Sequence, residues 1–397
     1  MGENAKGLLL ALLGAAHSLN HSLFLVLPLF LLDVVTEFSS TTESIGLIAA
    51  VSGFIYGAGS LVGGSLSDRL GEIKTITLSL ALAGASTFIF LVARDLVVFS
   101  LGLLCMGAWA SLYHPTANSI ISKVFKANMA EAMGLHGTGG NVGYMFTPLI
   151  TVAMGSLWGW RYPLLFFGLL SIVVSVLILK LPKVRVDGNQ KGIKRVDVIK
   201  TPGLLTLLIY NLIAGLYFKG VEFIFPTFVQ YRFTAFFEKG LIATIKGVAV
   251  FGIFAAGILG QWLGGKASDS FGSKKALIGT STGVSLSMFL LLLMISPQPI
   301  LGVSLFVLLY GICFYGHQPA LNSLAGLITP ESMRGTMFGI LFFFSFGLGS
   351  ASTFIAAFFA ENYSIESAFL VLMMFSVSAL LLSFFAPSYK KRSEAVE

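Results

Sequence analysis

The chain has 397 residues, of which 56% are hydrophobic and 11% are charged, and its formal net charge is +7. Soluble domains carry about 25% charged and about 45–50% apolar residues, so this composition excludes a soluble globular domain and a disordered chain. It indicates an integral membrane protein. A membrane-crossing helix needs about 20 mostly apolar residues, so the length leaves room for about twelve of them.

The cysteine content excludes two further classes. Only Cys105 and Cys313 occur, which is too few for a disulfide framework or a cysteine-rich metal site. The N-terminal apolar stretch is too long for a signal-peptide core, and we interpret it as a first span that is retained.

Apolar runs with polar interruptions predict twelve membrane spans. Their predicted bounds are 8–34, 44–66, 75–93, 96–121, 131–156, 162–181, 202–231, 240–264, 275–296, 300–328, 335–360 and 367–387. An even number of spans places both termini on the same side of the membrane. The spans are numbered one to twelve in chain order.

Lysine and arginine are distributed unevenly between the two sides. The termini and the even-numbered connections hold 19 of them, and the odd-numbered connections hold 4. Cytoplasmic segments are enriched in these residues, so both termini are expected in the cytoplasm and the protein in the cell membrane. Topology accounts for the net charge, and no nucleic-acid partner is expected.

A short segment occurs twice. Residues 63–71 read GGSLSDRLG, and residues 264–272 read GGKASDSFG, with five of nine positions identical. Each copy ends an even span on the same side, which predicts two parallel six-helix halves related by a pseudo-two-fold axis along the membrane normal. The predicted halves are 1–181 and 201–397, joined by a polar cytoplasmic linker at 182–200.

The repeated segment resembles the signature loop of the major facilitator superfamily. The first copy carries the pattern Gly64-x-x-x-Asp68-Arg69-x-Gly71, and Trp160-Arg161 before span six also fits. The second copy has Asp269 and Gly272, with Ser270 in place of the arginine. The resemblance covers the whole chain and implies an all-α membrane protein of two six-helix bundles. The expected conformational-switch residues are Gly64, Asp68, Arg69, Gly71, Asp269 and Gly272.

Within that superfamily, three segments resemble fosmidomycin-resistance-type exporters and their archaeal and bacterial relatives. They are His17-x-x-Asn20-His21 in span one, His114-Pro115 in span four and Gly139-Gly140-Asn141-x-Gly143 in span five. The resemblance implies proton-linked antiport of drugs or organic anions, although His21 stands where many relatives have an acid.

Polar residues mark a predicted water-filled path. Apart from Lys180 and Lys275 at their ends, spans three, six, nine and twelve contain no His, Asn, Gln, Asp, Glu, Lys or Arg, whereas spans one, four, seven and ten contain several. Unpaired polar side chains in hydrocarbon cost several kcal/mol, so these four spans should line a cavity. The candidate substrate- and proton-binding residues are His17, Asn20, His21, His114, Asn118, Lys219, Glu222, Lys246, His317, Gln318 and Asn322.

Charged residues in spans seven and eight suggest the coupling chemistry. Glu222 is the only acid deep inside a span, Lys219 precedes it by three residues, and Lys246 enters span eight at a similar depth. Together they would carry a charge of +1, which suits an anion or the proton-coupled release of a lysine. The alternative is a structural ion pair that joins the two spans.

The histidines permit two interpretations. His17 and His21 share one helical face, where they could handle substrate or protons or form hydrogen bonds between helices. No acid or cysteine completes a zinc site with them, so no metal or cofactor is expected. His114 precedes Pro115, and His317 lies two residues before Pro319, where a proline bend could present a polar group.

These observations favour a monomeric, proton-coupled secondary transporter that works by alternating access. Antiport export of a small organic anion or amphiphilic drug-like molecule is the first expectation, and proton–carboxylate symport for uptake is the alternative. The patterns GxxxxGK[ST] and HExxH are absent, which argues against ATP hydrolysis and against an intramembrane metalloenzyme, and no enzyme activity is expected. A non-transporting sensor is a distant alternative.

Overall fold

A computed structural model describes residues 3–125, 128–181, 203–294, 296, 298–329 and 334–388. Within these residues the secondary structure is helical, without strands, which confirms the all-α expectation. The predicted linker at 182–200 lies outside the described residues.

The first six spans follow the predicted order. They are Glu3–Leu29 with Leu31–Glu37, Thr42–Leu70, Glu72–Ser86 with Ile89–Val92, Leu96–Ala110 with Tyr113–Val124, Met129–Trp158, and Arg161–Leu179. We call the end of the bundle at which span one begins, near Glu3, the terminal end. We call the opposite end, near Glu37, the far end.

The last six spans repeat this up-and-down arrangement. They are Leu204–Phe233, Lys239–Phe271, Ser273–Met294, Pro299–Ile328, the composite span Arg334–Asn362, and Ile365–Ser383. Among the described residues, eleven helical segments are long and apolar enough to cross a membrane. The predicted span five is not one of these eleven. It is a helix of 30 residues, Met129–Trp158, and its six glycines, His136 and Asn141 make it less apolar than the others.

Span four breaks where the sequence predicts a bend. The helix stops at Ala110 and resumes at Tyr113, because Pro115 has no N–H to donate to the carbonyl of Ser111. The Ala110 carbonyl accepts a hydrogen bond from Asn20 Nδ2 at 3.0 Å. Span ten differs, since its helix continues through Pro319.

Span eleven changes its helical form midway. Residues Phe343–Gly347 are π-helical and Leu348–Ser350 form a 3₁₀ turn. Asn211 Nδ2 donates to the Leu341 carbonyl at 2.7 Å, just before this change. Such π-helical insertions often mark functional sites, and this one positions Phe346 toward the centre of the bundle.

The sequence repeat is also a structural repeat. Gly71 and Gly272 end spans two and eight with φ values of +85° and +89°. Their N–H groups donate to the carbonyls of Ser67 and Ser268 at 2.8 and 3.1 Å. Glycine adopts such a backbone without steric cost, so both copies need it.

The two halves contact each other from the far end to the middle of spans two and eleven. Thr42 N–H donates to Glu361 Oε2 at 3.0 Å, and Thr353 Oγ1 donates to the Gly46 carbonyl at 3.0 Å. A Cβ added to Gly57 would lie 2.2 Å from the Cα of Gly347. Small residues therefore let spans two and eleven pack backbone against backbone.

Spans three, six, nine and twelve contribute to the apolar outer surface of the bundle. Each presents large exposed apolar side chains, including Leu78, Val92, Leu170, Val173, Leu177, Leu286, Phe289, Leu293, Leu370, Met374 and Leu381. This agrees with the absence of strongly polar residues from the interiors of these predicted spans.

We expect Gly272→Ala to destabilise the protein by roughly 1–3 kcal/mol, because alanine rarely adopts this backbone region. Gly265→Ala is the matched control, since a Cβ there would have no neighbour within 4 Å. Thermal unfolding in detergent measures both. Equal unfolding temperatures for the two variants would contradict the structural role of Gly272.

A clamp at the far end joins spans one, three and six. The Arg161 guanidinium donates to both oxygens of Glu37 at 2.7 Å and to the carbonyls of Phe90 and Ala93 at 2.7 and 2.9 Å. Trp160 Nε1 also donates to Glu37, at 2.8 Å. The hydrogen bonds from Arg161 hold the pKa of Glu37 below its ordinary value, while partial burial opposes this effect.

A carboxylate with a lowered folded-state pKa contributes stability above its unfolded pKa, and this stability is lost as the pH falls through the folded pKa. We therefore expect the unfolding temperature to fall on acidification below about pH 4.3. Glu37→Gln should be less stable at neutral pH and should show a smaller drop. Substitution of the exposed Glu238 by Gln should leave the wild-type profile, and an unchanged profile in Glu37→Gln would contradict the clamp.

Candidate substrate and coupling site

A cavity lies between the two halves near mid-depth. Its lining includes His21 from span one, Tyr56 from span two, Tyr144 from span five, Lys219 and Glu222 from span seven, and Phe346 from span eleven. Its volume is about 30 Å³, which is room for about two water molecules. Sites for small organic molecules usually measure about 300–1,000 Å³, so the cavity is contracted in this conformation.

The predicted Lys219–Glu222 pair is present. Lys219 Nζ lies 2.6 Å from Glu222 Oε2, and their side chains are only 15% and 12% exposed. The Tyr144 hydroxyl donates to the other carboxylate oxygen. Because Tyr144 belongs to the N-terminal half, this hydrogen bond joins the halves at the charged group.

Aromatic rings hold the Lys219 ammonium in place. Its Nζ lies 5.1 Å from the centre of the Phe218 ring and 4.8 Å from that of Phe346. Both distances are within the range of cation–π attraction. The lysine is therefore stabilised by one carboxylate and two rings, in a space with little room for water.

A second, apolar cavity is also lined by Glu222. It has a volume of about 20 Å³. Its lining residues are Leu25, Phe218, Val221, Glu222, Phe225, Pro226, Val250, Ile253, Phe254, Tyr310 and Tyr315. Glu222 therefore borders both a polar cavity and an aromatic and aliphatic one.

Lys246 does not join this group, contrary to the expectation from its depth. Its Nζ donates to the Leu29 carbonyl at 3.0 Å and to Gln230 Oε1 at 2.7 Å. Gln230 follows Glu222 by eight residues, or about 12 Å along the helix. Lys246 thus links spans one, seven and eight near the far end. Without it, the Lys219–Glu222 pair is neutral when both groups are ionised, and the expected charge of +1 is wrong.

Four histidines cluster in the N-terminal half. The ring centres of His17, His21 and His114 are 4.9 to 5.1 Å apart. His136 stacks on His17 at 4.6 Å, and the His17 Nδ1 atom lies 3.3 Å from the His136 carbonyl oxygen. Since His21 also lines the polar cavity, the cluster adjoins the Lys219–Glu222 pair.

The glycines of span five make room for this cluster. A Cβ on Gly140 would lie 2.1 Å from His17 Nδ1, and one on Gly143 would lie 1.8 Å from Ser18 Oγ. The Gly139-Gly140-Asn141-x-Gly143 segment therefore lets span one approach span five closely. The sequence singled out this segment, but its physical role becomes clear only from the packing.

The two predicted asparagines of the N-terminal half do not line the cavity. Asn20 is buried, and besides its bond to Ala110 it accepts a hydrogen bond from Tyr56 at 2.7 Å. It lies one residue from His21 and therefore points about 100° away around the helix. Asn118 is exposed.

The candidates of span ten are also dispersed. His317 is buried, and its Nδ1 atom contacts the Phe314 carbonyl. Gln318 lies 3.5 Å from Gln261, which accepts a hydrogen bond from Asn141 of the other half at 3.0 Å. Asn322 is exposed. Only Gln318 takes part in a contact chain between the halves.

The signature-loop residues lie at the terminal end, away from both cavities. Arg69 and Asp269 are exposed, Gly64 has open space around it, and Gly71 and Gly272 form the two turns. The side chain of Asp68 lies outside the described residues. A switching role for this group stays a prediction.

Three aromatic residues that line the cavity have no strongly polar side chain to mark them in the sequence. They are Tyr56, Tyr144 and Phe346. Tyr144 follows directly after the glycine-rich segment of span five, which was the one available signal. Phe346 depends on the π-helical form of span eleven, which no local pattern indicated.

Comparison with known proteins identifies the family of this chain. The sequence corresponds to the Major Facilitator Superfamily over residues 10–353. The chain belongs to this superfamily. It is therefore a multi-pass membrane protein of a transporter family, and its fold is that of two six-helix bundles.

Curated relatives match only part of the chain. It is 26% identical over 241 residues to the Quinolone resistance protein NorA of Staphylococcus aureus (strain MRSA252), covering 57% of this chain and 58% of NorA. It is 29% identical over 146 residues to Monocarboxylate transporter 13 of Rattus norvegicus, covering 36% and 34%. The matched segments thus span less than two thirds of either relative.

Solved structures match over nearly the whole chain. A bacterial homologue of the human lysosomal transporter Spinster, in an inward-facing and occupied conformation, has a TM-score of 0.83 at 15% identity and covers 97% of each chain. The nucleoside transporter NupG has a TM-score of 0.78 at 14% identity and covers 98% of this chain and 100% of its own. At these identities the likeness establishes the fold alone.

We expect Asn20→Leu to destabilise the protein, because it leaves the Ala110 carbonyl and the Tyr56 hydroxyl without their partner. Each unsatisfied buried group costs about 1–3 kcal/mol. Asn118→Leu, at an exposed position, should change stability by no more than about 0.5 kcal/mol. Unfolding temperatures in detergent compare the two variants. If both variants lose the same stability, Asn20 has no special structural role and remains a candidate for substrate binding.

Proposed function

We propose that the protein is a proton-coupled secondary transporter of a small, amphiphilic organic anion, with Glu222 as the proton site and Lys219 as the anion site. The observation that carries the proposal is the buried pair itself, held between the two halves by Tyr144. Ionisable residues inside a membrane span usually serve transport. The apolar cavity bordered by Glu222 suits the hydrocarbon or aromatic part of such a substrate.

The pair couples the two ligands through charge. While Glu222 is ionised it neutralises Lys219, so an anion gains little from binding there. Protonation of Glu222 removes that competition and leaves the ammonium free for a carboxylate or similar group. By reciprocity, an anion on Lys219 leaves Glu222 unpaired and promotes its protonation. Proton and anion therefore bind together, which favours symport.

Alternating access supplies the movement. The halves are joined at the far end by spans two and eleven, and at mid-depth by the Tyr144–Glu222 hydrogen bond. Rocking of one half against the other would separate these contacts and open the cavity. With the termini in the cytoplasm of the cell, as the lysine and arginine bias favours, the far end faces outward. We propose a monomer as the working unit.

Antiport export of a drug-like molecule is the second candidate. It is favoured by the similarity to a quinolone resistance protein and by the resemblance of the histidine and glycine segments to exporters. Antiport requires substrate and proton to compete, as a cationic or zwitterionic molecule would for the Glu222 carboxylate. The two candidates therefore differ in the sign of the linkage between substrate and proton.

Purified protein in liposomes with an imposed pH gradient tests the proposal, using organic anions and drug-like molecules as solutes. We expect an anion to accumulate on the alkaline side, together with a proton flux in the same direction. Accumulation of a drug-like solute on the acidic side would establish antiport instead. Transport that ignores the gradient would overturn proton coupling altogether.

Glu222→Gln separates coupling from transport. The amide imitates the protonated acid, so exchange of labelled anion between equal pools should continue, while gradient-driven accumulation should fall at least tenfold. Glu238→Gln, at an exposed position, should retain both activities. Full accumulation by Glu222→Gln would remove Glu222 from the coupling mechanism.

A further inference from the structure

Three histidine rings from spans one and four form a nearly equilateral triangle beside the polar cavity. The distance between ring centres is 5.0 Å for His17 and His21, 4.9 Å for His17 and His114, and 5.1 Å for His21 and His114. One ring nitrogen from each residue lies within 4.8 Å of those of the other two. We propose that these three residues bind a divalent transition-metal ion, with Zn²⁺ as the ion that suits them best.

The dimensions fit tetrahedral coordination. Zinc–nitrogen bonds of about 2.0–2.1 Å place imidazole nitrogens about 3.3 Å apart and ring centres about 5 Å apart. The ring centres already have this spacing, so each nitrogen has to move by at most about 1 Å toward the metal. Three protein ligands leave a fourth position open, which is the arrangement of metal sites that exchange a ligand.

Hydrogen bonding around the cluster favours metal binding. A carbonyl can only accept, so the His17 Nδ1–H donates to the His136 carbonyl at 3.3 Å, and a neutral ring then keeps its lone pair on Nε2. Metal-binding histidines are commonly oriented by such a backbone bond. The Nε2 atom of His114 is buried and has no hydrogen-bond partner among the described residues. Buried polar atoms normally have a partner, and a metal ion would supply it.

Aromatic rings of the C-terminal half pack against the cluster. The ring of Phe342 lies 4.9 Å from that of His114, and the ring of Phe346 lies 6.1 Å from that of His21. Both belong to span eleven, so the C-terminal half covers the cluster. Gly140 leaves the space that the His17 ring occupies. The site is thus built from N-terminal ligands and closed by C-terminal aromatic rings.

A third histidine, His114, makes a metal site possible where the sequence predicted none. His17 and His21 alone offer two ligands on one helix, which is too few for a stable site. The break in span four brings His114 to the same point. His136 acts as a support, because its ring stacks on His17 and its Nε2 lies 2.9 Å from the Tyr113 hydroxyl.

Metal titration of the purified full chain, with any oligohistidine tag removed, tests the site without a pH gradient. Co²⁺ serves as the optical probe and Zn²⁺ as the calorimetric one. We expect one equivalent to bind, with visible absorption typical of tetrahedral cobalt. X-ray absorption should show nitrogen ligands at about 2.0 Å from zinc.

Variants identify the ligands. His17→Ala, His21→Ala and His114→Ala should each weaken binding at least tenfold, whereas His317→Ala, which removes a buried histidine of the other half, should bind as the wild type does. Monodispersity and unfolding temperature identify any variant that fails to fold. Wild-type protein that binds no more metal than the triple His17→Ala/His21→Ala/His114→Ala variant would overturn the site, as would coordination by oxygen alone. Because no transport is measured, this result is independent of proton coupling.

Discussion

The central constraint on this molecule is that a carboxylate and an ammonium inside an apolar helix bundle need hydrogen-bonding or ion-pair partners. Isolated charges in such surroundings are very costly, and breaking a buried pair is far worse than never forming it. Glu222 meets this requirement with Lys219 on its own helix and Tyr144 on the opposite half. Any movement that separates the halves takes Tyr144 away from the carboxylate. The charge state of one residue and the relative position of two bundles are therefore linked.

Close helix packing makes that linkage effective. Lipid gives no hydrophobic drive for helices to associate, so contact depends on small residues that let backbones approach. Gly57 meets Gly347 across the halves, and Gly215 packs against the backbone of Ser345, at the π-helical segment that carries Phe346. Because these contacts are made by backbone atoms, they cannot relax by a change of rotamer. The interface is consequently either closed or open, which is the behaviour that alternating access requires.

The sequence predicted the architecture well and the site only in part, for physical reasons. Hydropathy and the three-span period report which helices face lipid, and the repeat at Gly71 and Gly272 required the same turn twice. Depth along a helix could also be counted, but rotation about its axis could not. Depth alone therefore predicts Lys246 beside Glu222, whereas its ammonium contacts Gln230 and Leu29 instead. The pairing of Lys219 with Glu222 was predictable because both lie on one helix, whereas contacts between spans one, four and eleven depend on packing.

The two halves share a scaffold and differ in chemistry at its centre. The N-terminal half concentrates imidazoles around the break in span four, while the matching span ten continues as one helix and places His317 against Phe314. The C-terminal half supplies the lysine, the glutamate and the aromatic rings. His21 is the residue where these two chemistries meet, because it belongs to the histidine cluster and also lines the cavity with Lys219. A cation held by the cluster would add positive charge to the field that an anion experiences at Lys219. With a metal ion bound at the cluster, the N-terminal half would supply one source of positive charge to the cavity and the C-terminal half, through Lys219, the other.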